Sequence, residues 1–199
     1  MTTEMFIALA VFAAISAFTP GPNNTLVLAS GVRFGFQRSL PLVLGVGTGF
    51  PLMIGLIGLG LGKVFETYPL IYFYLKYAGA TYMAWLAFKI ATAKLESESD
   101  SLAQKPMSYL QMVLFQWINP KGWVMAVTAL SAYTTASSYY AGVASVVGTF
   151  VVMGLGSSAT WALFGASLRN VMHDPRYFRA INVVLALSLM ASILPILRH

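Results

Sequence analysis

The chain has 199 residues, 58% of them hydrophobic and only 9% charged, with a mean hydropathy of +0.74. Soluble domains carry roughly 25% charged residues, so there is too little polar surface here to coat a water-soluble globule. The composition instead points to a polytopic membrane protein in a single domain. The net charge of +6 does not indicate a nucleic-acid partner, because Lys and Arg fall mainly in short loops. With no cysteine in the chain, disulfides and Cys-ligated metals are excluded.

A spanning helix needs about 20 mainly apolar residues, and six stretches qualify. The first runs from about Met5 to Ala29 and is interrupted by Thr19-Pro20-Gly21-Pro22-Asn23-Asn24. Its leader, Met1-Thr2-Thr3-Glu4, lacks the basic segment of a secretory signal, so the helix is expected to be retained. The second covers about Leu40 to Leu61 and the third about Leu70 to Thr92. A cytoplasmic linker over about 94–107 follows, carrying the acidic run Glu96-Ser97-Glu98-Ser99-Asp100-Ser101. The fourth span, about Tyr109 to Tyr133, holds a second break at Asn119-Pro120-Lys121-Gly122. The fifth covers about Tyr140 to Leu163 and the sixth about Ala180 to Leu197. The expected fold is all-α with six transmembrane helices.

Loop charge sets an orientation. Arg33, Arg38, Lys89, Lys94, Lys105, Arg169, Arg176 and Arg179 fall on one side of a six-span chain, while Lys63 and Arg198 fall on the other. The richer side belongs in the cytoplasm, which places both termini on the outer, periplasmic side. Five spans would break this asymmetry.

The two halves, about 1–93 and 108–199, resemble each other weakly. Phe18-Thr19-Pro20 aligns with Ile118-Asn119-Pro120, Val46-Gly47-Thr48-Gly49-Phe50 with Val147-Gly148-Thr149-Phe150, and Met53 with Met153. An odd number of spans per half forces opposite orientations, so the expected plan is a pair of inverted three-helix repeats, a frequent plan for secondary transporters. Helices 1 and 4 are both broken at proline motifs. Broken backbone at membrane depth is tolerated only against protein or a polar cavity, so these breaks are candidate binding elements. Alternatively, they are two unrelated kinks.

Lys121 lies near mid-depth, where a lysine costs roughly 2.5–3.5 kcal/mol on insertion scales. It either binds carbonyls freed by the break or supplies a positive charge at a substrate or proton site. The amides of Asn23, Asn24 and Asn119 can satisfy loose backbone groups or meet a substrate. A helix restarting at Pro22 would aim N–H groups and a positive dipole end into the gap, which suits a carboxylate. Gln116 and Trp117 can line the same cavity. Lys76, about two turns inside the third helix, either snorkels to the headgroups or provides a second interior charge. Glycine pairs spaced by four (Gly31/Gly35, Gly45/Gly49, Gly58/Gly62) mark close packing within the chain or between two copies of it. His173 and His199 have no ligand partner at useful spacing, so no metal is expected. No phosphate-binding Gly-Lys-Ser/Thr motif is present, which argues against ATP-driven pumping. No Asp or Glu lies within any span, so the substrate should carry a carboxylate and no net positive charge. A membrane enzyme would need a nucleophile with a base, or metal ligands, and the spans offer neither. A channel would need rings of like polar residues; a channel-like pore or a non-catalytic assembly protein is the competing class.

Thr19-Pro20-Gly21-Pro22-Asn23-Asn24, Gly31 through Gly35, Leu75-Lys76-Tyr77-Ala78-Gly79-Ala80-Thr81-Tyr82, and Phe115 through Lys121 occur together and in order. On these motifs the chain resembles the lysine exporter / homoserine-threonine exporter (LysE/RhtB) superfamily of bacterial amino-acid efflux proteins, along nearly its whole length. It looks most like the subgroup associated with cysteine and O-acetylserine export. The resemblance implies an inner-membrane exporter coupled to proton entry and often dimeric; separately, no cofactor is expected. Gly122 stands where an alanine is more usual, and is expected to loosen the helix. The site expected from both lines of reasoning has Pro20, Gly21, Pro22, Asn23 and Asn24 on one wall and Gln116, Asn119, Pro120 and Lys121 on the other. Lys121 would neutralise the substrate carboxylate or change protonation during the cycle, and Lys76 is the secondary charge.

Overall fold

The structure is a computed structural model that describes residues 1–61, 67–93, 105–169 and 174–193, apart from the side chains of Pro69, Ile71, Tyr72, Leu75 and Lys76. It is all-α, with seven α-helices and no strand among the described residues. The helices are α1 (Thr3–Phe18), α2 (Pro22–Leu56, extended by a π-helical turn Ile57–Leu61), α3 (Pro69–Ala91), α4 (Tyr109–Ile118), α5 (Pro120–Tyr133), α6 (Tyr139–Ser167) and α7 (Pro175–Ala191). The acidic run 96–101, Lys63, Lys94, His173, Arg198 and His199 lie outside the described residues, as does the Lys76 side chain.

Both proline motifs break helices as the sequence leads one to expect. Thr19, Pro20 and Gly21 separate α1 from α2, and Asn119 alone separates α4 from α5. In each case the following helix opens with proline at its first position. There the missing N–H costs nothing, since the first N–H groups of a helix have no internal partner. The helix-opening proline of the first break is Pro22. Pro20 is exposed and non-helical.

The connection expected between the first two spans is not a loop. Helix continues on both sides of a single residue, Gly35, whose φ of 77° and ψ of 172° lie where only glycine is unstrained. The bend there is sharp. Residues nine apart along a straight helix are separated by about 13.5 Å of rise, yet the hydroxyls of Ser30 and Ser39 hydrogen-bond at 2.8 Å. Arg33 and Arg38 flank the turn, both over the face of Phe34, at 5.5 and 5.3 Å from its centroid. One glycine thus does the work that sequence reasoning gave to a loop of several residues.

The core is built around α2 and α6, the two described helices long and apolar enough to cross a membrane. They cross with backbones almost touching: a Cβ on Gly31 would collide with the Ala162 carbonyl, and one on Gly165 with the Leu28 carbonyl. Gly45 and Gly49 likewise sit on α4, against Met112 and Val113, and Gly58 sits on Val143 of α6. The described members of the small-residue pairs other than Gly35 are therefore used in packing within the chain. Gly79 of α3 lies on the Ile118 carbonyl and supports the second break. Gly122 is helical and buried against Phe50, so the helix continues through it.

The outside of the bundle is apolar. Val152 on α6 is 66% exposed and Leu187 on α7 is 63% exposed, and Leu44, Leu52, Phe88, Val124 and Phe164 share this character. Monomeric soluble proteins rarely expose contiguous apolar patches of this kind, whereas a lipid-facing surface requires them.

Overpacking a close helix contact typically costs about 1–3 kcal/mol. Gly31→Ala should therefore lower the melting temperature of the detergent-purified protein. Gly148→Ala, where a Cβ meets nothing within 4 Å, should leave it unchanged or raise it slightly.

Candidate functional site

The break after α1 leaves the carbonyls of its last turn without helical partners. Side chains from three other elements supply them. Asn24 Nδ2 donates to the Ala17 oxygen at 2.8 Å and the Thr19 oxygen at 2.9 Å. Ser157 Oγ of α6 donates to the same Ala17 oxygen at 2.7 Å. Lys121 Nζ of α5 donates to the Thr19 oxygen at 2.6 Å and, more weakly, to the Pro20 oxygen at 3.4 Å. The lysine therefore binds freed carbonyls, but those of the opposite break, not of its own. Its charge lies at the negative, C-terminal end of α1, where a cation is stabilised.

The second break is secured differently. The Trp123 indole donates to the Trp117 carbonyl at 2.8 Å, and the two rings meet edge to face with centroids 6.1 Å apart. The two breaks are also joined directly. Asn23 Nδ2 donates to Gln116 Oε1 at 2.8 Å, and Gln116 Nε2 donates back to Asn23 Oδ1 at 3.3 Å and to the Met112 carbonyl at 2.9 Å. Gln116 is fully buried.

Between the breaks lies a cavity of about 40 Å³, room for roughly three waters. From the first break it is lined by Gly21, Asn23 and Asn24, and from the second by Asn119, Lys121 and Gly122. The first helical bonds after each break run from Thr25 N to Gly21 O and from Trp123 N to Asn119 O. The N–H groups of Asn23, Asn24, Lys121 and Gly122 thus precede them and have no helical partner. Two positive helix ends and an ammonium group converge on one space. Its remaining wall is Ser16 of α1, Ser157 and Ser158 of α6 and an apolar surface that includes Phe50, Met125 and Phe150. Phe50 and Phe150 meet edge to face at 5.2 Å between centroids. No carboxylate is among the lining residues. Two buried polar atoms of lining residues, Asn119 Oδ1 and Ser158 Oγ, have no hydrogen-bond partner.

Of the residues singled out from sequence, Gly21, Asn23, Asn24, Asn119 and Lys121 come together on the cavity. Pro20, Pro22 and Pro120 do not line it; they shape the breaks. Gln116 holds Asn23 from behind, and Trp117 braces Trp123. Ser157, Ser158, Phe50 and Phe150 were missed as site residues. The run Gly154-Leu155-Gly156-Ser157-Ser158, small and polar within an apolar span, was the available signal for the serines.

An all-helical apolar bundle with a polar, positively biased cavity between two broken helices is the architecture of a membrane carrier. The LysE type translocator family matches residues 14–192. At 35% identity over 197 residues, the chain is similar to the cysteine/O-acetylserine efflux proteins of Escherichia coli strain K12 and Shigella sonnei strain Ss046, covering 95% of itself and 95% of each relative. No solved structure matches it. The chain belongs to the LysE type translocator family; it is a membrane transporter and not an enzyme.

Gly21 permits the approach of Lys121. Its backbone is extended, with φ of −177° and ψ of −179°, and suits any residue, but a Cβ there would lie 2.8 Å from Lys121 Cδ and 3.2 Å from Nζ. Gly21→Ala should push the ammonium away from the Thr19 carbonyl while the bundle stays folded. Losing a hydrogen bond to a charged group costs about 1.5–3 kcal/mol, so transport should fall about tenfold or more. The check is flux in proteoliposomes at matched protein content.

Proposed function

We propose that this protein exports small neutral amino acids or their close derivatives, of the cysteine and O-acetylserine type, across the bacterial inner membrane. The observation that carries this reading is the convergence of Lys121 and the N-terminal ends of α2 and α5 on one cavity. Such ends are ready-made anion sites, and a carboxylate is the anion that every amino acid offers. Lys121 has three N–H donors, two of them directed at Thr19 and Pro20; the third is for the substrate. The relatives named as cysteine/O-acetylserine efflux proteins supply the substrate class.

In this reading α1 with the first part of α2, up to Gly35, forms one broken span and the rest of α2 the second. Helix α3 is the third, α4 and α5 together the fourth, α6 the fifth and α7 the sixth. Residues 1–93 and 108–199 are inverted repeats. The matched helix openings at Pro22 and Pro120 and the contact between Phe50 and Phe150 support this, since counterparts related by a two-fold axis meet on the axis. The excess of Lys and Arg in alternate loops puts both termini in the periplasm. Rocking of one half against the other gives alternating access around the site. Proton entry drives the cycle, with Lys121 and cavity water as the groups able to move the proton. A second copy of the chain pairs with the first through the apolar exterior.

Two measurements on purified protein in proteoliposomes test this. O-acetyl-L-serine on the far side should accelerate uptake of labelled O-acetyl-L-serine, with saturation. Unsaturable flux without acceleration would mean a pore. Lys121→Ala should reduce exchange to background while the protein remains folded in the membrane, and near-normal exchange would remove Lys121 from the site.

A further inference from the structure

The cavity accounts for a carboxylate but contains no anionic side chain to receive an amino acid's ammonium group. Neutral acceptors must do so if anything does, and most of those nearby are occupied. The Ala17 carbonyl already accepts from both Asn24 and Ser157, which fills its two lone pairs. The Thr19 carbonyl accepts from Asn24 and Lys121. Asn23 Oδ1 accepts from Gln116. Among the fully buried side-chain atoms of the lining residues, two acceptors remain without partners, Asn119 Oδ1 and Ser158 Oγ. Both belong to cavity-lining residues, and those residues are only 2% and 1% exposed.

This is unusual for both residues. An asparagine just before a helix normally accepts a hydrogen bond from the backbone of the first turn, but Asn119 makes no such cap. A serine inside a helix normally bonds the carbonyl four residues back, as Ser145 does here; Ser158 does not. A buried polar atom left without a partner costs free energy, so both groups are held at a cost that a bound donor would relieve.

We propose that Asn119 Oδ1 and Ser158 Oγ form an uncharged subsite for the α-ammonium group of a zwitterionic substrate whose carboxylate is held by Lys121 and the N-terminal end of α2. The proposal rests on the amino-acid reading of the site and deepens it. It explains how a carrier with no carboxylate in its cavity holds a positive group. It also predicts that a cationic side chain is excluded, since a second positive charge would face Lys121 with no counter-ion.

The test compares O-acetyl-L-serine with its deaminated analogue, 3-acetoxypropionate, as competitors of labelled O-acetyl-L-serine exchange in proteoliposomes. For the wild type, the analogue should require an about ten- to hundred-fold higher concentration for half-inhibition, the range expected for hydrogen bonds to a charged group. In Ser158→Ala and Asn119→Ala, half-inhibition by the amino acid should weaken toward that of the analogue, while the analogue's own value stays put. The ratio thus falls toward one. Asn119→Asp places a carboxylate at the subsite and should raise the ratio, because it attracts the ammonium group and repels the analogue. A ratio unchanged in both alanine variants would overturn the subsite, leaving the two atoms to an internal water. Equal weakening of both competitors would also overturn it, because a merely structural role moves both. A wild type that exchanges no amino acid would instead overturn the exporter reading itself. Ser158→Ala removes one oxygen from a helix that tolerates alanine, so the test survives if Asn119→Ala does not fold.

Discussion

The arrangement depends on the open carbonyls at the end of α1. A helix that stops inside a membrane must find donors for its last turn, because hydrocarbon supplies none. Here the donors are Asn24, five and seven residues further on, Ser157 from α6 and Lys121 from α5. The first fixes the break locally. The other two tie α1 to distant parts of the chain. A lysine at this depth costs roughly 2.5–3.5 kcal/mol to insert, and one hydrogen bond from a charged donor returns roughly 1.5–3 kcal/mol. The break and the lysine therefore make each other tolerable: each alone would be a defect.

That mutual dependence is also what gives the cavity its sign. Lys121 neutralises the negative end of α1, while the positive ends of α2 and α5 face the same space. The balance favours an anion, and the extended Gly21 lets the ammonium come close without a side chain in the way. Glycine contacts set the distances elsewhere. Helices α2 and α6 approach until Gly31 rests on the Ala162 carbonyl and Gly165 on the Leu28 carbonyl, which holds Ser157 against the end of α1. The polar site is thus positioned by the closest helix contact of the core.

Much of this was legible in the residues. The apolar composition, the two proline breaks and the mid-depth lysine follow from helix geometry and the cost of polar groups in lipid, and they bring out five of the cavity-lining residues. What escaped the sequence has a common physical cause: it depends on which groups meet in space. The turn at Gly35 looked like a loop, because periodicity cannot tell a single left-handed glycine from several unwound residues. Gln116 read as a wall residue, yet it is the partner of Asn23, 93 residues away. Ser157 and Ser158 are marked only by the small, polar run they close, a weak signal since serine in a spanning helix usually bonds its own backbone. Only their placement on the cavity separates them from that ordinary role.

The account's central claim is that the space between the two breaks receives the substrate. The natural absence of cysteine allows a direct measurement. A single cysteine at Met125, on the cavity wall, is labelled with a membrane-permeant thiol reagent with and without saturating O-acetyl-L-serine. A cysteine at Val124, which is 67% exposed on the outside of the bundle, serves as the reference. The account predicts that the substrate slows labelling at Met125→Cys and leaves Val124→Cys unchanged. Equal rates at Met125→Cys with and without substrate, in protein that still exchanges it, would contradict the claim.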